Sequence, residues 1–340
     1  MRECEVRDLA DEVFAPNLIE HGFTTVRLPE RAGLRSHLES VRRKGALDGS
    51  DEAAIRRSLH RARVSLPDGA QLLVLHVADE GMIFRAAGPD AIAVDGSGLA
   101  DEHGGAQAVH ADQDVGGTPV RQILRGLAPR VFRHDAPDSS NRRSPLQLVN
   151  LWLPLQQVTR PLALLDGSTV DRPRQQLRYE LPVVDILGRT DESRAVNDIW
   201  RFVHDDRQRW YFHSEPELGQ AHVFDTLSTP HGSFVLPGET IAADRYRRID
   251  RAVAAVEAGR DVPDEPAAAN QTTEVATEAL RKAIEEMDAS LDALHTVEVG
   301  ELEARVRRAR AAQRAVVRMS IEMRAVVLRI PPLRRRRSRS

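Results

Sequence analysis

The sequence predicts a largely antiparallel β fold, a sandwich or a barrel, with a helical subdomain towards its C-terminal end. Three observations predict it. Short β-branched and aromatic runs punctuated by Gly, Pro and Asp fill residues 1–240. Ala, Glu and Arg dominate the stretch from Thr240 to Val316, and strand-like alternation returns over 316–330. With 340 residues, 41% hydrophobic and 29% charged, the chain can bury a core of one large or two ordinary domains.

The candidate strands are Thr24–Leu28, Gln71–Val77, Met82–Ala86, Val149–Leu153, Pro161–Leu165 and Ala221–Phe224. Each is four to seven residues long and bounded by turn-forming residues. Ser50–Ala62 and Asp191–Asp206 read as helices. Beyond Thr240, apolar or small residues recur at steps of four and three. One stripe is Ala242, Tyr246, Ile249, Val253 and Val256. A second is Leu280, Ile284, Met287, Leu291 and Leu294; a third, Leu302, Val306 and Ala309, is broken by Gln313. Two or three heptads each predict a helical subdomain rather than a long coiled coil. In the final strand Arg318, Ser320, Glu322 and Arg324 alternate with Met319, Ile321 and Met323, so the four polar side chains share one face.

Composition excludes several classes. The net charge is −3, and five arginines are concentrated in the last seven residues, RRRRSRS, so the rest of the chain is more acidic still. A body of that charge lacks the basic face that nucleic acid requires, and the tail, residues 334–340, reads as a solvated, disordered end. No apolar run is long enough to span a membrane, and MRECEVRDLADEV shows no signal-peptide h-region. One cysteine, Cys4, fits a reducing cytoplasm, where the protein is expected to reside.

His110 and Asp112, in AVHADQD, would point to the same side of an extended strand and could grip one ion. A third ligand must come from elsewhere. His231, in FDTLSTPHGSF (224–234), is the candidate, lying beside small residues; a solvent-exposed turn histidine is its alternative reading. His103, His134, His204, His213 and His222 do not combine a nearby carboxylate with a partner motif downstream and read as surface or core histidines. Two histidines and one carboxylate form a facial triad that leaves open positions on iron(II), suited to a bidentate 2-oxo acid and O2. The acid's far carboxylate needs a planar cation, and Arg318 with Ser320 offers a guanidinium and a hydroxyl on one face.

The order His-x-Asp, distal His, Arg-x-Ser resembles that of Fe(II)/2-oxoglutarate dioxygenases on the double-stranded β-helix. NLWLPL (150–155), PLALLD (161–166), FDTLSTPHGSF (224–234) and RMSIEMR (318–324) together resemble the hydroxylase/desaturase family. That family includes gibberellin-desaturase-like enzymes and the hydroxylase component of cephamycin biosynthesis. The resemblance spans roughly residues 100–240 and 316–330. It implies a jelly-roll, cupin-like core, with iron ligands His110, Asp112 and His231. Arg318, helped by Ser320, would anchor 2-oxoglutarate; Arg324 is the second choice, and Asn150 and Trp152 would line the cavity. The implied reaction oxidises a C–H bond of a small natural-product substrate with Fe(II), 2-oxoglutarate and O2, giving succinate and CO2.

Departures are visible. Leu153 stands where the family has an arginine, whose contact is either missing or supplied by another residue such as Arg160, and the third-ligand block reads His-Gly-Ser-Phe. A gap of 87 positions separates His231 from Arg318. The expected organisation is therefore a β-helix domain, 1–240 with 316–333, interrupted by a helical insertion, 241–315, and followed by the basic tail, 334–340. The insertion would cap the site, form a homodimer contact or decorate the surface. Two other classes stay open at this point: a metal-binding β-barrel, including a zinc hydrolase, and an interaction protein built around the helices.

Overall fold

The computed structural model of the chain describes residues 4–78, 82–88, 109–112, 132–135, 144–182, 196–263, 274–296 and 301–332. Its strands are β1 (Val6–Asp8), β2 (Phe23–Arg27), β3 (Arg63–Ser65), β4 (Gln71–Val77), β5 (Ile83–Ala87), β6 (His110–Ala111), β7 (Leu146–Gln156), β8 (Leu162–Leu165), β9 (Gln176–Pro182), β10 (Val196–Phe202), β11 (Trp210–Phe212), β12 (Gln220–Asp225), β13 (His231–Ser233) and β14 (Arg318–Ile330). The helices are α1 (Leu34–Lys44), α2 (Gly49–Leu59), the short α3 (Arg172–Gln175), α4 (Glu239–Glu257), α5 (Glu278–His295) and α6 (Leu302–Ala315). Residues 334–340 and His103 lie outside the described residues.

Two seven-stranded sheets result. One runs β1-β11-β8-β13-β6-β10-β9; the other runs β2-β12-β7-β14-β4-β3, with β5 also paired to β14. From β5 to β8 each successive strand changes sheet, and from β11 to β14 it does so again. Such alternation between two facing sheets, antiparallel apart from the β1–β11 pair, is the winding of a jelly roll. The fold is mixed α and β, with a jelly-roll-like core.

Alternation along the strands gives each sheet two chemically different faces. On β7, Val149, Leu151, Leu153 and Leu155 point outward with Met319, Ile321 and Met323 of β14, where Leu34, Leu38 and Val41 of α1 and Ile55 and Leu59 of α2 cover them. Asp48 caps α2 by accepting from the backbone N–H groups of Ser50 and Asp51. The inward face of the same sheet packs Phe23, Trp152 and Phe224 against Leu162, Leu164 and Tyr211 of the other sheet. Among these aromatics the inner face also carries Asn150, Arg318, Ser320, Glu322 and Arg324, which are wholly or largely buried.

The helices α4, α5 and α6 occupy the connection between β13 and β14. Their stripes meet inside this chain: Ile249, Val253, Leu280, Met287, Leu291, Leu294 and Ala309 form one cluster with Phe212 and Leu236 from the sheet region. Gln313, which interrupts the third stripe, is buried and donates through Nε2 to the Tyr246 carbonyl and to Asp250 Oδ1. Gln156 Nε2 donates to the carbonyls of Ala315 and Val317, fastening the end of α6 to β7 just before β14 begins. Thr277 caps α5 through the Leu280 backbone N–H.

The helix expected over Asp191–Asp206 is corrected: Val196–Phe202 is strand β10. It pairs with β9 on one side and with β6 on the other, Trp200 opposite Ala111 and Arg201 opposite His110. Two partner strands satisfy its backbone, and the β-branched and aromatic residues of VNDIWRF suit a pleated surface. The sequence reading assigned no element to α1, although Leu34, Leu38 and Val41 repeat at helical spacing and form its buried face.

Met287, at the centre of the helical cluster and fully buried, is the test of that packing. Met287→Ala is expected to cost about 2–5 kcal/mol in urea denaturation. A loss under about 1 kcal/mol would show that the helices share no tightly packed core.

Candidate metal centre

Residue pairing across the sheet builds the site. In the antiparallel pair β6–β13, His110 and His231 are direct register partners, and their rings lie 4.5 Å apart. Asp112 follows two residues after His110 and turns inward beside both rings. His110 Nε2 is 3.5 Å and His231 Nε2 is 3.7 Å from the same carboxylate oxygen, Asp112 Oδ1. Side-chain exposures of 19, 10 and 8% for His110, Asp112 and His231 show that the group is largely buried. Among the described residues these three form the one group of His, Cys, Asp or Glu side chains able to hold a metal, with ligand atoms within 4.8 Å of one another.

Two of the donors, His231 and Asp112, are in the form a metal needs. The loop before β13 aims His231: its Nδ1 donates to the Thr229 carbonyl at 3.1 Å, which leaves the Nε2 lone pair facing Asp112. Burial lowers the His231 pKa to about 4, against the pull of Asp112, so the ring is neutral at physiological pH. Burial pushes Asp112 upward, but Arg324, His231 and His110 together hold its carboxylate well below the usual range. The Thr229 hydroxyl fixes the same loop by donating to the Gly22 carbonyl at 2.7 Å. Gly22 has φ +84°, and a Cβ there would stand 2.8 Å from Thr229 Oγ1, so the close approach requires glycine.

The opposite sheet supplies the surrounding charges. Arg324 Nη2 is 3.7 Å from Asp112 Oδ1. Asn150 donates through Nδ2 to Asp112 Oδ2 and to Glu322 Oε1, the latter at 3.2 Å. Burial and the nearby Asp112 raise the Glu322 carboxyl. Further along β14, Arg318 and Ser320 face the same interior and are 4% and 1% exposed. The Arg318 guanidinium lies 5.4 Å over the Trp152 ring, a cation–π contact. Among the described residues, Arg318 Nε and Nη1 and Ser320 Oγ find no hydrogen-bond partner. Burial, with Arg85 alongside, lowers the Arg318 pKa to about 10, which leaves it charged.

The structure thus brings His110, Asp112, His231, Asn150 and Arg324 into one cluster, with Arg318 and Ser320 on the same face at a distance along β14. Arg160 lies elsewhere, ion-paired to Glu239 at 3.2 Å where α4 begins. Of the other histidines, His134 is buried with Nδ1 3.1 Å from the Phe132 carbonyl, and His222 is buried with Nδ1 3.4 Å from Thr25 Oγ1. His204 and Asp206 form a second His-x-Asp, 3.0 Å apart, at the surface. Two inner-face residues escaped the sequence reading. Arg85 pairs with Ser320 across β5–β14, and Thr226 donates through its hydroxyl to Asn150 Oδ1 at 2.7 Å. Thr226 sits inside the DTLSTPH block, where its only signal is a small polar residue just before a candidate ligand.

The profile of the Oxidoreductase/YMDC permease-like domain matches residues 77–246, half of the chain. The chain belongs to this family. The matched stretch of the Oxidoreductase/YMDC permease-like domain contains His110, Asp112, Asn150 and His231 and ends before β14. No curated protein matches the sequence. Among solved structures, the iron and alpha-ketoglutarate-dependent endoperoxidase NvfI is similar over 95% of this chain and 82% of its own, at 15% identity and a TM-score of 0.46, in a variant form. A second conformation of NvfI has the same identity and score, covering 95% of this chain and 84% of its own. No helix among the described residues is long and apolar enough to cross a membrane.

Asp225, which opens the loop to His231, is 4% exposed. Burial, with Asp135 nearby, raises its carboxyl from 3.8 to about 7 although the Leu227 backbone N–H donates to it. Between those values the folded protein keeps a proton that the unfolded chain has released, so stability falls as pH rises through this window. Asp225→Asn cannot ionise and is expected to remove that fall, seen as a flatter pH profile of the urea midpoint. An unchanged slope would contradict the assignment.

Proposed function

We propose that this chain is an iron(II)/2-oxoglutarate-dependent oxygenase that oxidises a C–H bond of a small natural-product substrate, by hydroxylation, desaturation or rearrangement. One observation carries the reading. Two imidazoles and a carboxylate converge within the same jelly-roll interior as a buried guanidinium and hydroxyl whose Nε, Nη1 and Oγ find no acceptor among the described residues.

The residues fit the group. His110, Asp112 and His231 would hold iron(II) as a facial set of two nitrogens and one oxygen. With 2-oxoglutarate, that ion supplies dioxygen activation coupled to oxidative decarboxylation. Arg318 would meet the far carboxylate of the cosubstrate, and Ser320 would donate a second hydrogen bond two residues along the strand. A charge-assisted bond of that kind is about twice as strong as a neutral one, and the Arg318 guanidinium also lies over the Trp152 ring. Arg324, against Asp112, keeps the ligand carboxylate ionised. The aromatic wall of Phe224, whose ring is 4.7 Å from that of His231, keeps bulk water from that side of the centre. A zinc site could use the same three ligands, but it would leave Arg318 and Ser320 buried with unanswered donors, a cost of about 1–3 kcal/mol per group.

Substrate-independent turnover tests the proposal, with succinate formed from 2-oxoglutarate in the presence of iron(II) and O2 as the readout. His110→Ala is expected to abolish it. Arg318→Ala is expected to raise the 2-oxoglutarate concentration required by about 10- to 100-fold, the equivalent of roughly 1.5–3 kcal/mol. If Arg324→Ala raises that requirement and Arg318→Ala leaves it unchanged, the cosubstrate anchor is assigned to the wrong arginine. Absence of succinate from the wild type under all iron and cosubstrate concentrations would contradict the oxygenase reading.

A further inference from the structure

We infer that Asn150 and Thr226 are a positioning pair that selects which oxygen of Asp112 meets the metal, an inference that rests on the metal-centre reading above. Asn150 and Thr226 are both 0% exposed, and every polar atom of the Asn150 amide is engaged within the protein. Its Oδ1 accepts from the Thr226 hydroxyl at 2.7 Å. Its Nδ2 reaches two carboxylates, donating one N–H to Asp112 Oδ2 and the other to Glu322 Oε1. A rotated amide would set its carbonyl oxygen against both carboxylates and its NH2 against the Thr226 hydroxyl, so the orientation is fixed electrostatically.

The consequence falls on Asp112. Its Oδ2 is held by the amide, and Oδ1 is the oxygen that faces both His110 Nε2 and His231 Nε2. Asp112 would therefore offer a metal Oδ1 alone, which would leave room for a bidentate 2-oxo acid and O2. Asn150 therefore acts on the metal through Asp112 and has no free group with which to bind the cosubstrate.

Thr226 is itself anchored, its backbone N–H donating to the Leu148 carbonyl at 3.0 Å, next to β7 where Asn150 sits. The same short loop then reaches Thr229, whose carbonyl orients His231. A single loop, residues 226–230, thereby sets the oxygen offered by one ligand and the nitrogen offered by another. Partners of this kind around a metal ligand are typically worth about 10- to 100-fold in affinity.

Titration of the full-length apo-protein with Co(II), followed by its visible d–d bands, tests the pair. Thr226→Val preserves shape and removes the hydroxyl; Asn150→Asp preserves shape and turns an amide donor into a third carboxylate. Both are expected to weaken Co(II) binding by about 10- to 100-fold and to shift the bands, whereas Thr226→Ser, which restores the hydroxyl, should stay within about twofold of wild type. If Asn150→Asp fails to fold, the Val and Ser variants at 226 decide the matter alone. Wild-type affinity and spectrum in Thr226→Val would overturn the positioning role and leave the metal centre standing. Lack of Co(II) binding by the wild type would overturn the metal centre itself, and the inference with it.

Discussion

The direct pairing of His110 with His231 across β6 and β13 is the constraint on which the rest of the structure depends. Neither strand is long enough to be stable by itself, at two and three residues. Each is held in place by longer neighbours, β10 beyond β6 and β8 beyond β13. This register puts two imidazole nitrogens against one carboxylate oxygen in an interior that also carries Phe23, Trp152 and Phe224. Charges there are tolerable because they answer one another: Arg324 faces Asp112, and Asn150 bridges Asp112 and Glu322. Arg318 and Ser320 differ, since Arg318 Nε and Nη1 and Ser320 Oγ find no partner among the described residues.

Two hydrophobic layers make that interior affordable. The outer face of the β7–β14 sheet rests on α1 and α2, so its inner face is free to carry polar side chains without loss of the main core. On the other side, α4 to α6 bury their stripes against one another and against Phe212 and Leu236. They also deliver the chain to the start of β14, where Gln156 accepts no slack between α6 and the strand: its amide holds the carbonyls of Ala315 and Val317. Arg318 is the next residue. The helices thus bear on the site mechanically, by setting where the strand with Arg318 and Ser320 begins.

Much of this was legible in the residues. Alternation in RMSIEMR identified the polar face of β14, and the i, i+4 stripes marked all three late helices, because long elements with one buried side impose a period on sequence. His110, Asp112 and His231 stood out by spacing and by resemblance, and the fold brings them together. The illegible parts share a cause. Strands β6 and β13 are too short to show a period, and β10 was read as a helix because its type is decided by β6 and β9 pairing on either side. Thr226 and Arg85 carry no motif; their importance comes from where β12 ends and where β5 meets β14, which are tertiary facts.

The most direct measurement of the central claim is an anaerobic titration of the apo-protein with iron(II) and then 2-oxoglutarate, recorded in the visible. A weak charge-transfer band is expected to appear only when both are present, because it requires the 2-oxo acid to chelate iron held by His110, Asp112 and His231. Iron bound without such a band on adding 2-oxoglutarate would contradict the account, leaving a metal site with no cosubstrate and a buried Arg318 with no ligand to explain it.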